Sequence, residues 1–193
     1  MYLESIVAPE TIRELLKFAG STPPGAFVEV GVYKGGTASH LTQLAEEQQR
    51  DVFLYDTFEG IPYSSDKDWH KVGDFAEGVD YASIVEALPY AKISKGIFPA
   101  SALPMGPIAF LHLDCDQYQS VIDSLAYLKD QLVEDAVVWF DDAPCQNWRI
   151  GHGRNGADVA LRELFGEAPG VWQVGSSGKA YIRWTKEVRR LLD

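Results

Sequence analysis

Acidic residues recur at the ends of this chain's apolar runs. Glu29 sits near the end of Ala26-Phe-Val-Glu-Val-Gly31, and Asp56 closes Asp51-Val-Phe-Leu-Tyr-Asp56. Asp114 and Asp116 close the run that begins at Ile108, and the pair Asp141-Asp142 closes the run that begins at Ala136. In an open α/β sheet the carboxyl ends of parallel strands line one edge, and ligands bind at that edge. Gathering carboxylates there is costly unless something compensates them. The pattern therefore asks for cations or hydroxyl groups as partners. Magnesium suits such a set, because it takes oxygen ligands and keeps several waters, so two or three carboxylates are enough. Asp114 and Asp116 are two apart and point to one side of an extended chain. Asp141 and Asp142 are neighbours, so only the turn out of their strand brings both toward a common ion. Structural roles stand beside these: Asp116 as the N-cap or pre-cap of a following helix, Asp142 as a turn cap at Ala143-Pro144, and Glu29 as an acceptor for nearby backbone.

The elements that must position these groups alternate. An amphipathic helix is predicted over 9–19, with Ile12, Leu15, Leu16 and Phe18 apolar, then a strand over 26–30. The loop Gly31-Val-Tyr-Lys-Gly-Gly36 follows, and a helix from about Thr37 places Leu41, Leu44 and Ala45 on one face. A strand at 51–55 leads into 57–79, a stretch rich in Gly, Ser, Asp and aromatics without period; its length marks it as a lid or binding loop. Further on are a helix near 80–88, a strand near 91–97, a strand at 108–113, a helix from about Ser120, a strand at 136–140, a loop over 143–155 and a helix from about Ala157 to Phe165. Two strand-like runs around Gly175-Ser-Ser-Gly178 read as a terminal hairpin. The order predicts one α/β domain over 1–193, with neither internal repeat nor second-domain boundary.

A strand, a glycine loop and a helix suit an adenosine-containing cofactor. The dinucleotide fingerprint needs a middle glycine to let backbone approach a pyrophosphate, and here Tyr33 stands in its place. S-adenosylmethionine carries adenosine and an amino-acid tail but no phosphate, so Tyr33 need not obstruct it. Asp56 is placed to accept both ribose hydroxyls, and Glu29 to accept from the cofactor's amino group. A plain turn at Gly31 and Gly35 is the alternative.

Five separated motifs carry a resemblance: Glu29-Val-Gly-Val-Tyr-Lys-Gly-Gly-Thr37, Tyr55-Asp-Thr-Phe-Glu-Gly-Ile-Pro62, Lys95-Gly-Ile-Phe-Pro99, Leu113-Asp-Cys-Asp-Gln-Tyr-Gln-Ser120 and Phe140-Asp-Asp142. In this order they resemble the macrocin O-methyltransferase type of class I methyltransferase, which methylates sugar hydroxyls, over roughly residues 25–165. The resemblance implies a Rossmann-like, seven-stranded, mostly parallel sheet with the last strand antiparallel and helices on both faces. It also implies S-adenosylmethionine and a divalent metal, usually magnesium, and assigns Glu29, Gly31, Tyr33, Thr37, Asp56 and Asp114 to the cofactor. Catechol-type methyltransferases are similar in placing metal ligands after the fourth and fifth strands; those positions match Asp114, Asp141 and Asp142. Their lysine base has no counterpart, since Gln117 stands there. Asp114 and His152 are the expected catalytic residues, with His70 or a metal-bound carboxylate as other candidates for the base. His112, inside a strand, is expected in the core or behind the ligands. Trp69 and Trp148, in the two irregular loops, either stack on a sugar ring or pin those loops to the body. Set against the macrolide enzymes, the sequence is expected to lack their longer N-terminal elaboration.

Composition narrows the partners. A net charge of −11 repels nucleic acid and anionic membranes. No apolar run approaches a membrane span, no signal peptide is evident, and Cys115 and Cys145 lack metal or disulfide spacing, which together predict a cytoplasmic enzyme. The expected partner is a small sugar or glycoside acceptor, and homo-oligomerisation is compatible with this reading. Two rival functions remain at this stage: a nucleotide-sugar glycosyltransferase using Asp114-Cys115-Asp116, and a non-catalytic binding protein on the same fold. A nicotinamide-dependent reductase is disfavoured by Tyr33.

Overall fold

Strands with near-continuous apolar runs must be covered on both faces, and helices between them supply the cover. The computed structural model, which describes residues 2–145, 155–167 and 170–193, has that arrangement. In chain order the elements are α1 (Pro9–Gly20), β1 (Ala26–Val30), α2 (Gly36–Glu47), β2 (Val52–Asp56), α3 (Tyr81–Ala87), β3 (Lys92–Lys95), β4 (Ile108–Leu113), α4 (Tyr118–Leu128), β5 (Leu132–Phe140), α5 (Gly156–Phe165), β6 (Trp172–Val174), β7 (Ala180–Arg183) and α6 (Lys186–Arg190). The seven strands form one sheet in the order β3-β2-β1-β4-β5-β7-β6, parallel throughout except for β7, which runs antiparallel to both its neighbours. The expected mostly parallel sheet with an antiparallel last strand is therefore present.

Each face has its own core. Leu15 and Ala19 of α1, Ala38 and Leu41 of α2 and Ile84 of α3 pack with Phe27, Leu54, Phe110 and Trp139 on one side. Val121 and Leu125 of α4 and Ala160, Leu161 and Phe165 of α5 pack with Val28, Leu111 and Val138 on the other. Strand order reverses between β1 and β4, and the crevice beyond their carboxyl ends is where such a sheet holds its ligand.

β5 departs most from its expected bounds, and one helix is new. β5 starts at Leu132, four residues before the apolar run, because Glu134 and Asp135 lie inside it, exposed, where the pairing with β4 shifts register and Asp135 takes a positive φ of 64°. The polar pair hid that part of the strand. The short α6 was not foreseen; Thr185 caps it through Val188 N–H at 3.2 Å.

Candidate active site

The acids gather at the switch point because of register. Glu29 on β1 lies opposite His112 on β4, which lies opposite Trp139 on β5. Asp114 follows β4 directly and its N–H donates to Val30 carbonyl at 2.9 Å; Asp141 follows β5 and its N–H donates to Leu113 carbonyl at 3.0 Å. These backbone bonds carry the parallel pairing one residue past the strands and put the two carboxylates on a common ledge. Gly31 makes the approach possible: with φ at 96°, a Cβ there would stand 1.9 Å from the Asp114 carbonyl oxygen.

A cavity of about 390 Å³ opens over this ledge. It is lined by every expected cofactor residue, namely Glu29, Gly31, Tyr33, Thr37, Asp56 and Asp114, and also by Asp141 and Asp142. Asp56 gathers the glycine loop rather than standing free. Its Oδ2 accepts from Val32 N–H at 2.6 Å and Tyr33 N–H at 2.9 Å, and its Oδ1 accepts from Phe58 N–H at 2.6 Å. Thr37, in the first turn of α2, meets Ser5 of the N-terminal segment at 3.4 Å between hydroxyls, and Ser5 and Val7 line the same cavity.

The metal-type set also converges. Asp114, Asp141 and Asp142 each offer an oxygen within 4.8 Å of the others. Asp141 Oδ1 and Asp142 Oδ2 are buried without a hydrogen-bond partner, which is costly for a carboxylate and fits a hard cation that takes oxygen donors. Burial, with Asp141 next to it, pushes the Asp114 carboxyl well above its usual range, and the same two causes lift Asp142 to about 6. Asp141 moves the other way. Burial alone would raise it, but His112 and Lys179 beside it hold it below the usual range.

His112 is the buried counter-charge. Its Nδ1 lies 2.8 Å from Glu29 Oε1, and its Nε2 lies 3.9 Å from Asp141 Oδ1, an ion pair beyond hydrogen-bond reach. Burial would lower its pKa, but the flanking carboxylates Asp141 and Glu29 raise it to about 10. Glu29, also buried, is pushed up by burial despite the His112 bond. So Glu29 spends one oxygen on His112, and its Oε2 has no partner.

Three residues have a part here that sequence reasoning missed or assigned otherwise. Asp116 is not the N-cap of α4, which is Gln117, but stands at the pre-cap position before it; its side chain lines the cavity, where Asp116 Oδ1 meets His70 Nε2 at 3.4 Å. Burial and the Asp142 charge lift Asp116 to about 8. The α4 cap comes instead from Asp68 in the 57–79 stretch, whose Oδ1 accepts from Tyr118 N–H at 2.7 Å while Oδ2 accepts from Ser65 N–H at 2.8 Å. Lys179, just after the hairpin turn, donates to Asp141 Oδ2 at 2.8 Å and to the Asp141 carbonyl. A signal for Lys179 existed: an antiparallel return that pairs Ala180 with Phe140 sets residue 179 level with 141. His152, Trp148 and Arg154 lie outside the described residues. Trp69 is half-exposed on the 57–79 stretch, which places His70 and Phe75 at the cavity.

The macrocin-O-methyltransferase (TylF) family model matches residues 13–150. The chain belongs to this family. It is an S-adenosylmethionine-dependent O-methyltransferase, and that membership sets aside the glycosyltransferase and non-catalytic alternatives. Among solved structures the fold is similar to CalS11, a calicheamicin methyltransferase, with a TM-score of 0.74 at 21% identity over 92% of this chain and 78% of that one. The O-methyltransferase NovP aligns with a TM-score of 0.67 at 21% identity over 92% of this chain and 79% of that one. A cmcI structure described as its Mg-SAM form aligns with a TM-score of 0.57 at 14% identity over 95% and 75%. No curated protein sequence matches the chain. Among the described residues of this family member, no helix is long and apolar enough to cross a membrane.

Proposed function

We propose that this chain transfers the methyl group of S-adenosylmethionine to a hydroxyl of a sugar or glycosylated small molecule, with a divalent cation held by Asp114, Asp141 and Asp142. The observation that carries the reading is the ledge itself. Buried, partnerless carboxylate oxygens stand next to a glycine loop in one cavity, so cofactor and cation would share it. The apo structure of CalS11, a TDP-rhamnose 3'-O-methyltransferase, supports the sugar acceptor class, and the Mg-SAM form of cmcI supports the metal.

Methyl transfer is an in-line displacement at the sulfonium methyl, so catalysis is mainly positioning plus the handling of one proton. Tyr33, Gly31 and Thr37 would seat the cofactor over Glu29, whose buried Oε2 has no hydrogen-bond partner. A divalent cation at the three aspartates would supply stabilisation of the acceptor alkoxide. His70 and Asp116, paired at 3.4 Å on the cavity wall, would take the hydroxyl proton. Ile61, Pro62 and Phe75 give the acceptor an apolar wall.

Calorimetric titration with S-adenosylhomocysteine, with magnesium and with chelator, followed by transfer assays on sugar and glycoside acceptors, tests the reading. D141A should lose transfer while keeping S-adenosylhomocysteine binding. Full activity of D141A in chelator would sink the metal assignment, and failure on every hydroxylated sugar tried would sink the acceptor class.

A further inference from the structure

Lys179 sits inside the acidic cluster rather than beside it. Of the two Asp141 side-chain oxygens, Oδ1 is buried without a hydrogen-bond partner and Oδ2 is taken by the Lys179 ammonium at 2.8 Å, which also holds the Asp141 carbonyl. The lysine is not a swinging surface charge, since its side chain is only 27% exposed. Its backbone is fixed from the far side as well. Glu14 on α1 accepts from the N–H groups of Ser176 and Ser177, both at 2.6 Å, and from the Ser176 hydroxyl at 2.7 Å. Gly175 leans on that carboxylate so closely that a Cβ would stand 2.8 Å from it. Pairing of Ala180 with Phe140 then brings residue 179 level with Asp141. Two unconnected anchors thus aim one ammonium at one ligand carboxylate.

We propose that Lys179 is a resident cation of this site, which holds the Asp141 carboxylate in place and sets the cluster's affinity for a divalent ion below that of bare aspartates. The proposal rests on the assignment of Asp114, Asp141 and Asp142 as metal ligands. Without Lys179 the neighbouring carboxylates would have only His112 as a buried counter-charge, and the ion-free protein would carry more of their mutual repulsion. With it, the cluster is part-neutralised before any ion arrives, and an arriving dication meets a like charge. Metal occupancy then depends more on what the acceptor's oxygens add than on the protein alone.

The test compares wild type with K179M, K179Q and K179R, using Mg²⁺ alone and Mn²⁺ alone in calorimetry, and melting curves in chelator. The hairpin keeps its Glu14 anchor in all three variants. Both neutral variants should bind Mg²⁺ at least about tenfold more tightly than wild type, as removal of a nearby like charge in a partly buried site demands. They should also melt lower in chelator and regain the difference on adding Mg²⁺. K179R should stay within about threefold of wild type, because it keeps the charge. Neutral variants that bind Mg²⁺ no more tightly than a wild type that does bind it would overturn the proposal and leave the metal site standing. No binding of Mg²⁺ or Mn²⁺ by any of the four proteins would remove the metal assignment itself, and the proposal with it.

Discussion

Asp68 gives the sharpest test of the proposed division of the cavity between cofactor and acceptor. It is 4% exposed and lies in the stretch that carries His70 and Phe75 to the cavity, yet it caps a helix 50 residues away. Gln117, the residue at the N-cap of α4, makes no side-chain cap of its own, so the Tyr118 N–H depends on Asp68 Oδ1. Losing this cap leaves the part-buried Tyr118 N–H unpaired, at a cost of about 1–2 kcal/mol. Ser65, which donates both N–H and hydroxyl to Oδ2, is exposed enough for water to replace those bonds. D68A should therefore lose about 1–2 kcal/mol, which for a chain of this size lowers the melting temperature by about 2–8 °C. D68N keeps the volume and one acceptor and should lose about half of that.

The functional consequence is directional. The glycine loop is held separately by Asp56, so D68A should leave S-adenosylhomocysteine affinity within about twofold while raising acceptor KM severalfold. Differential scanning fluorimetry, calorimetry and steady-state kinetics read the three quantities. A melting temperature within about 1 °C of wild type would refute the capping argument. Equal losses for cofactor and acceptor would refute the division of the cavity.

Three other expectations follow from the same geometry. D56A strips the acceptor from the N–H groups of Val32, Tyr33 and Phe58, and S-adenosylhomocysteine affinity measured by calorimetry should fall at least about tenfold, or about 1.4 kcal/mol; an unchanged affinity would mean the loop holds itself. Asp142, lifted to about 6, must lose its proton to serve as a ligand, so Mg²⁺ affinity should rise with pH through 6 and binding should release protons, seen as buffer-dependent heats; a flat profile from pH 5 to 8 would count against Asp142 as a ligand. Glu14 runs the opposite way to Asp142. The Ser176 and Ser177 bonds outweigh its modest burial and hold its pKa at about 2 against an ordinary 4.5. Its contribution is present above 4.5 and is lost as pH falls through 2, so the melting-temperature gap between wild type and E14Q should close across that window.

The fold was readable because its signals are local: short apolar runs, glycine loops and helical faces repeat in order, and the acids stand at the strand ends. The candidate ligands Asp114, Asp141 and Asp142 were readable for the same reason, since the end of a strand predicts the edge of a sheet. What escaped were partners set by register or by long connections. His112 could be placed in the core, but its pairing with Glu29 depends on which β4 residue faces which β1 residue. Asp68 and His70 lie in a stretch without period, so nothing local says that one caps α4 and the other meets Asp116. Asp116 looked like a cap because an aspartate just before a helix usually is one. Here its φ of 58° belongs to the turn between β4 and α4, and its carboxylate is at the cavity instead.

The distribution of charge explains how a fold tolerates this ledge. Glu29, Asp114 and Asp141 come from the ends of β1, β4 and β5, adjacent strands, so the same pairing that builds the sheet forces carboxylates together. His112 stands between Glu29 and Asp141, and Lys179 closes on Asp141 from the hairpin. Both built-in cations bear on Asp141, and Asp141 is accordingly the cluster carboxylate whose pKa is lowered while Asp114, Asp116 and Asp142 are raised. The carboxyls without a full counter-charge are Asp114, Asp116 and Asp142, which burial and mutual repulsion keep toward their protonated forms, and all of them face the cavity. A ligand that brings positive charge there binds the folded chain and not the unfolded one, so it stabilises the protein by mass action. The sulfonium and ammonium of S-adenosylmethionine and a divalent ion are both such ligands, and each should raise the melting temperature more than a neutral occupant of the same cavity.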